Sequence, residues 1–578
     1  MGLYCEGLTG LGLGLGLGLG LGLVDGTLLR GTDKLWLWAA FVVQKLSWIF
    51  LIHDFPPSFV ESTLQPIERK TLKKWGGLPK SGDPSIFFRS REHFGMNIPE
   101  LCVQHKKQRL IRRHQLANSK DSRVREIHRE FSELQHKRNH TNTWGRRRRP
   151  TNEWKESVVM DACLAEVRMN KIKGQTQTNR AGVGYGPTVR WRTPSGPKRE
   201  REQMLRIFTE IEEEKRILSA ITRKSHFSEW VNWEGALAVD LRWQHVLHKQ
   251  SDTWLRAVLN STEDTLPTPS VLKCWRQASA GDGKCPLGCG MAGTLKHILC
   301  GCKLTFEQGQ HRITWRHDSI LLAIYHSVQE RIANTTELIE KAKSYANPLA
   351  TTKFVSYGQL ANTPDGNMQE AVAKPSNSFV VPAAVVGDDI FSKATDWKIQ
   401  FDLDMEEGLS KERHEDGGSY KGKDFRRSLP FPTEIATVSG KGSRPDGVIW
   451  SVSSRTVIWI ELTSPWEQNM SKRHFEKKAK YNQLAIDLRN PKRAGGAWTV
   501  FPFEVEIGAR GAINEQPWHY MCNKLGINSK ARERLTHAVQ DAAVHCSHRI
   551  FLCRFHKQWE PQPLLDTYMW YKTSEDSQ

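Results

Sequence analysis

Two groups of residues in this chain of 578 have the types and spacing to do chemistry. Cys285, Cys289, Cys300 and Cys302 fall within eighteen residues, with His297 among them. Taken as Cys285, Cys289, His297 and Cys302, the spacing is C-x3-C-x7-H-x4-C. Thiolate and imidazole are the ligands a tetrahedral Zn²⁺ prefers, and a complete Cys/His set leaves no open position for water, so the predicted zinc is structural. Gly288, Gly290 and Gly293 permit the tight turns such a loop needs. Cys300 stands two residues from Cys302 and competes with it as fourth ligand; a set of ordinary buried thiols is the plainer alternative. Eleven cysteines, odd in number and clustered, point to a reducing compartment rather than a disulfide framework.

The second group is acidic. Arg444-Pro445-Asp446 precedes an apolar run, and fourteen residues separate Asp446 from Glu461, which ends the apolar run Val457-Ile458-Trp459-Ile460. If the two runs form a hairpin, both carboxylates emerge at one end of a sheet, where they could hold Mg²⁺ against a phosphodiester. Lys477, Lys478 and Lys480, followed by Tyr481, lie on the next helical stretch, so Lys477 or Lys480 could point at the same place. Two acids at strand ends are common in proteins without catalysis, so this pattern alone is weak. Trp315-Arg316-His317-Asp318, just past the zinc loop, reads either as a helix start capped by Asp318 or as a grip on phosphate.

The elements that must position these groups follow from periodicity. Met204, Leu205, Ile207, Phe208, Ile211, Ile217, Leu218 and Ile221 recur at helical spacing from Lys198 onward, and residues 319–344 read as one helix or two. Short β-rich runs at 447–452, 456–461 and 499–507, with a helical stretch at 470–488 between the last two, give strand, strand, helix, strand, an α/β arrangement. Residues 56–188 are polar, basic and poor in periodic apolar positions, and are expected to be loose chain with short helices.

The formal net charge of +20 calls for a polyanionic partner, nucleic acid first. The run Arg146 to Arg149 fits that reading, or a solvated face or nuclear-import signal. Leu and Gly alternate from Leu11 to Leu23, and Leu35 to Ile52 is largely apolar, but Gln44 and Lys45 in its middle argue against a membrane span. Membrane association of this segment stays open as the lesser expectation, beside partner binding and low-complexity chain.

In combination, the order CCHC loop, Arg-His-Asp, Arg-Pro-Asp-x14-Glu and a Lys-rich helix ending in Lys-Tyr resembles the C-terminal end of site-specific non-long-terminal-repeat retrotransposon proteins. The segments Phe431-Pro432 through Asp446, Glu461-Leu462-Thr463-Ser464-Pro465-Trp466-Glu467 and Glu504 to Gly511 fit the same pattern, covering about half the chain. The resemblance implies an α/β, restriction-endonuclease-like PD-(D/E)xK core, preceded by a mainly helical zinc-knuckle region and a low-order basic N-terminal half. It also implies Mg²⁺-dependent nicking of target DNA. Asp446 and Glu461 would bind the metal, and Lys477 would be the catalytic lysine with Lys480 as competitor, Thr463 standing where ordinary restriction enzymes carry it. Arg316, His317 and Arg444 would contact nucleic acid, DNA first and RNA second. No aromatic-x-Asp-Asp sequence precedes the zinc loop, so the family's reverse transcriptase is missing and a derived remnant is expected; Asp388-Asp389 reads as a turn. The alternative is an inactive zinc-containing nucleic-acid-binding module from the same element. No small-molecule cofactor is expected, and the expected location is nuclear.

The expected organisation is 1–60 low-complexity and apolar, 61–197 basic linker and 198–345 helical with the zinc knuckle. A linker at 346–378, the nuclease core at 379–555 and a tail at 556–578 complete it.

Overall fold

The computed structural model describes residues 22–141, 156–175, 197–223, 235–277, 281–305, 311–345, 389–403, 432, 435, 445–493, 495–559 and 562–576. The Leu/Gly repeat up to residue 21, the Arg146 to Arg149 run, Arg444 and the whole of the expected linker 346–378 lie outside these residues. The chain divides into two compact units, Met1–Glu234 with Asp240–Pro267, and Gly235–Val239 with Thr268–Gln578.

The first unit is helical. Its main helices are α1 (Gly31–Ile52), α2 (Gln65–Gly76), α3 (Leu101–Ala117), α4 (Ser122–Thr141), α5 (Glu156–Gln175), α6 (Pro197–Arg223) and α7 (Asp252–Thr262). Over the described residues 61–141 and 156–175 this corrects the expectation of a loose basic linker and of a low-order N-terminal half. Val103 and Leu110 of α3, Cys163 and Val167 of α5, and Met204, Ile207 and Phe208 of α6 close one apolar core. The pattern was hidden because basic side chains sit between the apolar ones and are paired rather than solvated. Arg109 Nε donates to Glu156 at 2.9 Å, Lys106 lies 3.0 Å from Glu61, and Glu100 accepts from Arg69 and Arg216 at 2.8 and 2.9 Å. Long Arg and Lys stems also cover apolar surface while their heads stay polar. Helix α1 is long and apolar enough to cross a membrane by composition, but Leu35, Trp38, Val43 and Phe50 are buried within this unit. Trp38 Nε1 donates to the buried Glu68 at 3.3 Å. The helix α6, grouped by sequence with the zinc loop, belongs to this first unit.

The second unit is α/β. Helix α8 (Arg312–Tyr345) precedes a four-stranded sheet of β1 (Lys398–Phe401), β2 (Gly447–Ser451), β3 (Thr456–Thr463) and β4 (Thr499–Glu506), in that spatial order. β1, β2 and β3 pair antiparallel, whereas β3 and β4 pair parallel. A parallel pair needs a crossover, supplied by α9 (Met470–Arg489). Helices α10 (Glu515–Lys524), α11 (Ser529–Leu552) and α12 (Thr567–Asp576) follow.

Strand alternation sorts the sheet into two faces. Ile449, Ile458, Ile460, Leu462, Phe503 and Val505 pack on α8, α10 and α11, while Val448, Trp450, Val457, Trp459 and Val500 pack on Tyr481, Leu484 and Leu488 of α9. Both faces are covered, which is why β2 and β3 are buried almost without interruption. The expected strands and the expected helix at 470–488 are present within a residue or two. Residues 312–345 form one helix, and Asp318 lies inside it rather than at its cap. Asp389 accepts from Ser392 N at 3.0 Å and closes the turn Phe391–Lys393.

Candidate functional site

The Cys/His loop folds back on itself through a β-bridge between Lys284 and Ala292, with Cys285 N donating to Met291 O at 2.7 Å. Gly288 and Gly290 adopt φ of +88° and +80°, a conformation costly for residues with a Cβ. A wide helical turn, His297–Gly301, then returns His297 and Cys302 to the first two cysteines. The ligand atoms of Cys285, Cys289, His297 and Cys302 all lie within 4.8 Å of one another. Cys285 Sγ is 3.8 Å from Cys302 Sγ, and Cys289 Sγ is 3.1 Å from His297 Nε2. Ligands about 2.3 Å from a tetrahedral zinc stand roughly 3.8 Å apart, so this Cys3His cluster could bind zinc. Burial pushes the Cys285 thiol up to about 12, so a thiolate there calls for a cation. Cys300 points elsewhere: its Sγ lies 3.6 Å from Arg316 Nη2, which leaves the fourth ligand position to Cys302.

The carboxylates meet at the end of the β2–β3 hairpin. Gly447 pairs with Ile460, so Asp446 and Glu461 are the next opposed positions. The same alternation that sends Val448 and Trp459 towards α9 sends Asp446 and Glu461 to that face. Glu504, the register partner of Glu461 on β4, is on it too. Glu461 is buried and uses both oxygens: Lys477 Nζ donates to Oε1 and Tyr481 OH to Oε2 at 2.9 Å. Lys480 Nζ is one step further, 2.7 Å from Tyr481 OH and 3.7 Å from Glu461 Oε1. Lys477 and Tyr481, at i and i+4, share one helix face and bond the two oxygens of Glu461, while Lys480 on the same face reaches it only at longer range.

Asp446 has a different set of neighbours. Its Oδ2 accepts from Leu462 N at 2.7 Å and lies 3.3 Å from His317 Nε2. His317 Nε2 is also 3.2 Å from Leu462 O, and its Nδ1 is 2.8 Å from Asp318 Oδ1. Burial alone would depress the His317 imidazole, but Asp446 and Asp318 outweigh it and raise its pKa to about 10. Against its own burial, the Asp446 carboxyl is held below its ordinary value by the adjacent imidazolium. Burial, and then the charge of Asp446, raises that of Glu461.

Asp446, Glu461, Lys477, Lys480 and His317 are therefore brought together. Arg316 is not available to a phosphate. It is fully buried, with Nη1 donating to Ser547 Oγ at 3.0 Å and Nη2 to Ser464 O at 2.9 Å. Adjacent helix positions diverge by about 100°, which sends Arg316 into the core while His317 reaches the carboxylates. The predicted nucleic-acid contact by Arg316 thus gives way to a structural role. Tyr481 as a direct partner of Glu461 was missed by sequence reasoning, although its spacing from Lys477 is a usable signal.

Asp446 and Glu461 share one face of the sheet, and both bonds to Asp446 fall on Oδ2. Beside them, Thr463 Oγ1 and Ser464 Oγ are buried without a hydrogen-bond partner. Compared with protein-family models and with curated proteins, the chain matches none.

Proposed function

We propose that the unit containing residues 268–578 is a divalent-metal-dependent DNA endonuclease of the restriction-like PD-(D/E)xK type, derived from a retrotransposon protein. The observation that carries this reading is the meeting of Asp446, Glu461 and Lys477, from two adjacent strands and the helix that follows them. A β-hairpin joined through a crossover helix to a parallel strand is consistent with such a core. The net charge of +20 over the whole chain, most of it N-terminal to residue 268, favours a nucleic-acid partner for the protein.

Asp446 and Glu461 would hold Mg²⁺, which when bound supplies Lewis-acid activation of the phosphodiester and of the attacking water. His317 favours the ionised form of Asp446 from the Oδ2 side, so a cation would meet this carboxylate through Oδ1. Lys477 orients Glu461 and stands where an ammonium could stabilise charge developing on phosphate oxygens. Tyr481 fixes the second oxygen of Glu461, and Lys480 supports Tyr481. The zinc loop is a structural clamp, and DNA in the nucleus is the expected substrate, with RNA second.

The test is a nicking assay of the full chain on supercoiled plasmid with Mg²⁺, alongside Asp446→Ala. Nicking by the parent and a loss of about a hundredfold or more in the variant are expected. Plasmid binding with no cleavage by either protein would instead support an inactive nucleic-acid-binding module. That second reading is favoured by one observation: protein groups already occupy both oxygens of Glu461.

A further inference from the structure

The zinc loop and the carboxylate site are joined by a continuous set of bonds running through Cys300, Arg316 and His317. The turn His297–Gly301, which delivers the ligand His297, also carries Cys300. Cys300 Sγ lies against Arg316 Nη2, and the same nitrogen donates to Ser464 O, three residues beyond Glu461 on the same chain segment. Arg316 Nη1 reaches Ser547 Oγ, whose hydroxyl donates to Ala509 O, so α8, α11 and the segment after β4 are held by one guanidinium. The next residue, His317, bonds Asp446 Oδ2 and Leu462 O. Leu462 N closes the ring by donating to Asp446 at 2.7 Å. A second tie runs along the surface, where Lys296 Nζ donates to Gln468 Oε1 at 3.0 Å, just before α9.

A planar guanidinium with several fixed donors transmits displacement well, because moving one acceptor misaligns the others. We propose that Arg316 and His317 are positioning residues through which zinc loading of Cys285, Cys289, His297 and Cys302 sets the spacing of Asp446 and Glu461. Zinc fixes the turn 297–302, the turn fixes Cys300 and Arg316, and α8 then holds His317 on Asp446. The alignment of the carboxylate pair therefore depends on a metal bound elsewhere in the unit. Only the cation-affinity arm of the test below rests on the nuclease reading.

The test is hydrogen–deuterium exchange on the full chain, without Mg²⁺, in zinc-loaded and zinc-stripped forms. The Leu462 amide reports on its bond to Asp446. Zinc removal is expected to speed exchange in the peptide covering 460–464 by about tenfold or more, as for loss of a buried bond to a charged acceptor. Exchange in α10 and α12, which this guanidinium does not touch, is expected to stay unchanged. Cys300→Ala, which spares all four zinc ligands, is expected to speed exchange in 460–464 while zinc remains bound. His317→Gln gives the same result from the other end of the chain of bonds. Faster exchange confined to 284–302, or spread over the whole unit, overturns the proposal.

In a second arm, Mn²⁺ binding is followed by electron paramagnetic resonance, with Asp446→Asn marking the carboxylate site. Zinc-stripped protein and Cys300→Ala are expected to bind this Mn²⁺ about tenfold more weakly than zinc-loaded parent. Equal affinity in all three overturns the coupling. Should no form bind Mn²⁺ while exchange at 460–464 still follows zinc, the coupling stands and the metal-dependent nuclease reading falls.

Discussion

Replacing Lys477 with Met removes the ammonium that bonds Glu461 while keeping the length of the stem. Glu461 has a side chain only 1% exposed, and Lys477 is 27% exposed, so the pair is largely screened from water. A hydrogen bond to a buried charged group contributes about 1.5–3 kcal/mol. Tyr481 OH at 2.9 Å and Lys480 at 3.7 Å remain to compensate the carboxylate, so the stability loss belongs near the lower end, about 1.5 kcal/mol. On the proposed nuclease reading a larger effect on rate is expected, because a positioned proton-transfer or charge-stabilising group contributes about 10²–10⁴ in rate. That range corresponds to roughly 2.7–5.4 kcal/mol of transition-state stabilisation. Lys480→Met is the matched control. Its ammonium is half exposed and touches Glu461 only through Tyr481 and at longer range, so less than about a tenfold loss is expected. The assay is initial-rate nicking of supercoiled plasmid at saturating Mg²⁺, with urea denaturation to correct for the folded fraction. Equal losses in the two variants, or a larger loss for Lys480→Met, would refute the assignment of Lys477.

Three further outcomes follow from the same geometry. Native mass spectrometry is expected to find one Zn²⁺ per chain, lost in Cys289→Ser with a lower thermal midpoint and retained in Cys300→Ala. Glu467 accepts from Arg510 N at 2.6 Å and from Arg510 Nε at 2.9 Å, and the guanidinium lies 3.9 Å over the Trp466 ring. Glu467→Leu, which leaves that buried cation without its carboxylate, is expected to destabilise by about 3–5 kcal/mol in chemical denaturation. In the helical unit, burial, helped by Arg109, lowers His105 from 6.5 to about 4 beside the Phe50 ring. The unfolded chain takes up this proton first as the pH falls, so stability declines from about pH 6.5 to about pH 4, by roughly 3 kcal/mol at most. His105→Gln is expected to flatten that part of the stability profile, as read by urea midpoints at each pH.

Local pattern was enough for several parts of this molecule. The apolar runs around Ile449 and Ile458, the helix from Met470 and the Cys/His spacing are each written within about twenty residues, because strand alternation, helical periodicity and metal-ligand chemistry act at short range. These determined the α/β texture, the hairpin that opposes Asp446 to Glu461, and the zinc-ligand cluster. Hydrophobic counting failed over 61–141 and 156–175, where the helices bury acid–base pairs such as Arg109 with Glu156 and Glu100 with Arg216. A pairing between residues 47 or 116 positions apart cannot be read from a window of eighteen. The roles of neighbours were likewise decided in three dimensions. Arg316 and His317 are adjacent and both polar, yet one is enclosed by Ser464 and Ser547 and the other reaches Asp446. Cys300 and Cys302 diverge in the same way, one to a guanidinium and the other to the ligand cluster. The sequence determined which chemical groups exist and which local element carries each. Only packing determined which of them share a site, because that depends on which face each helix turns inward and which distant chain meets it there.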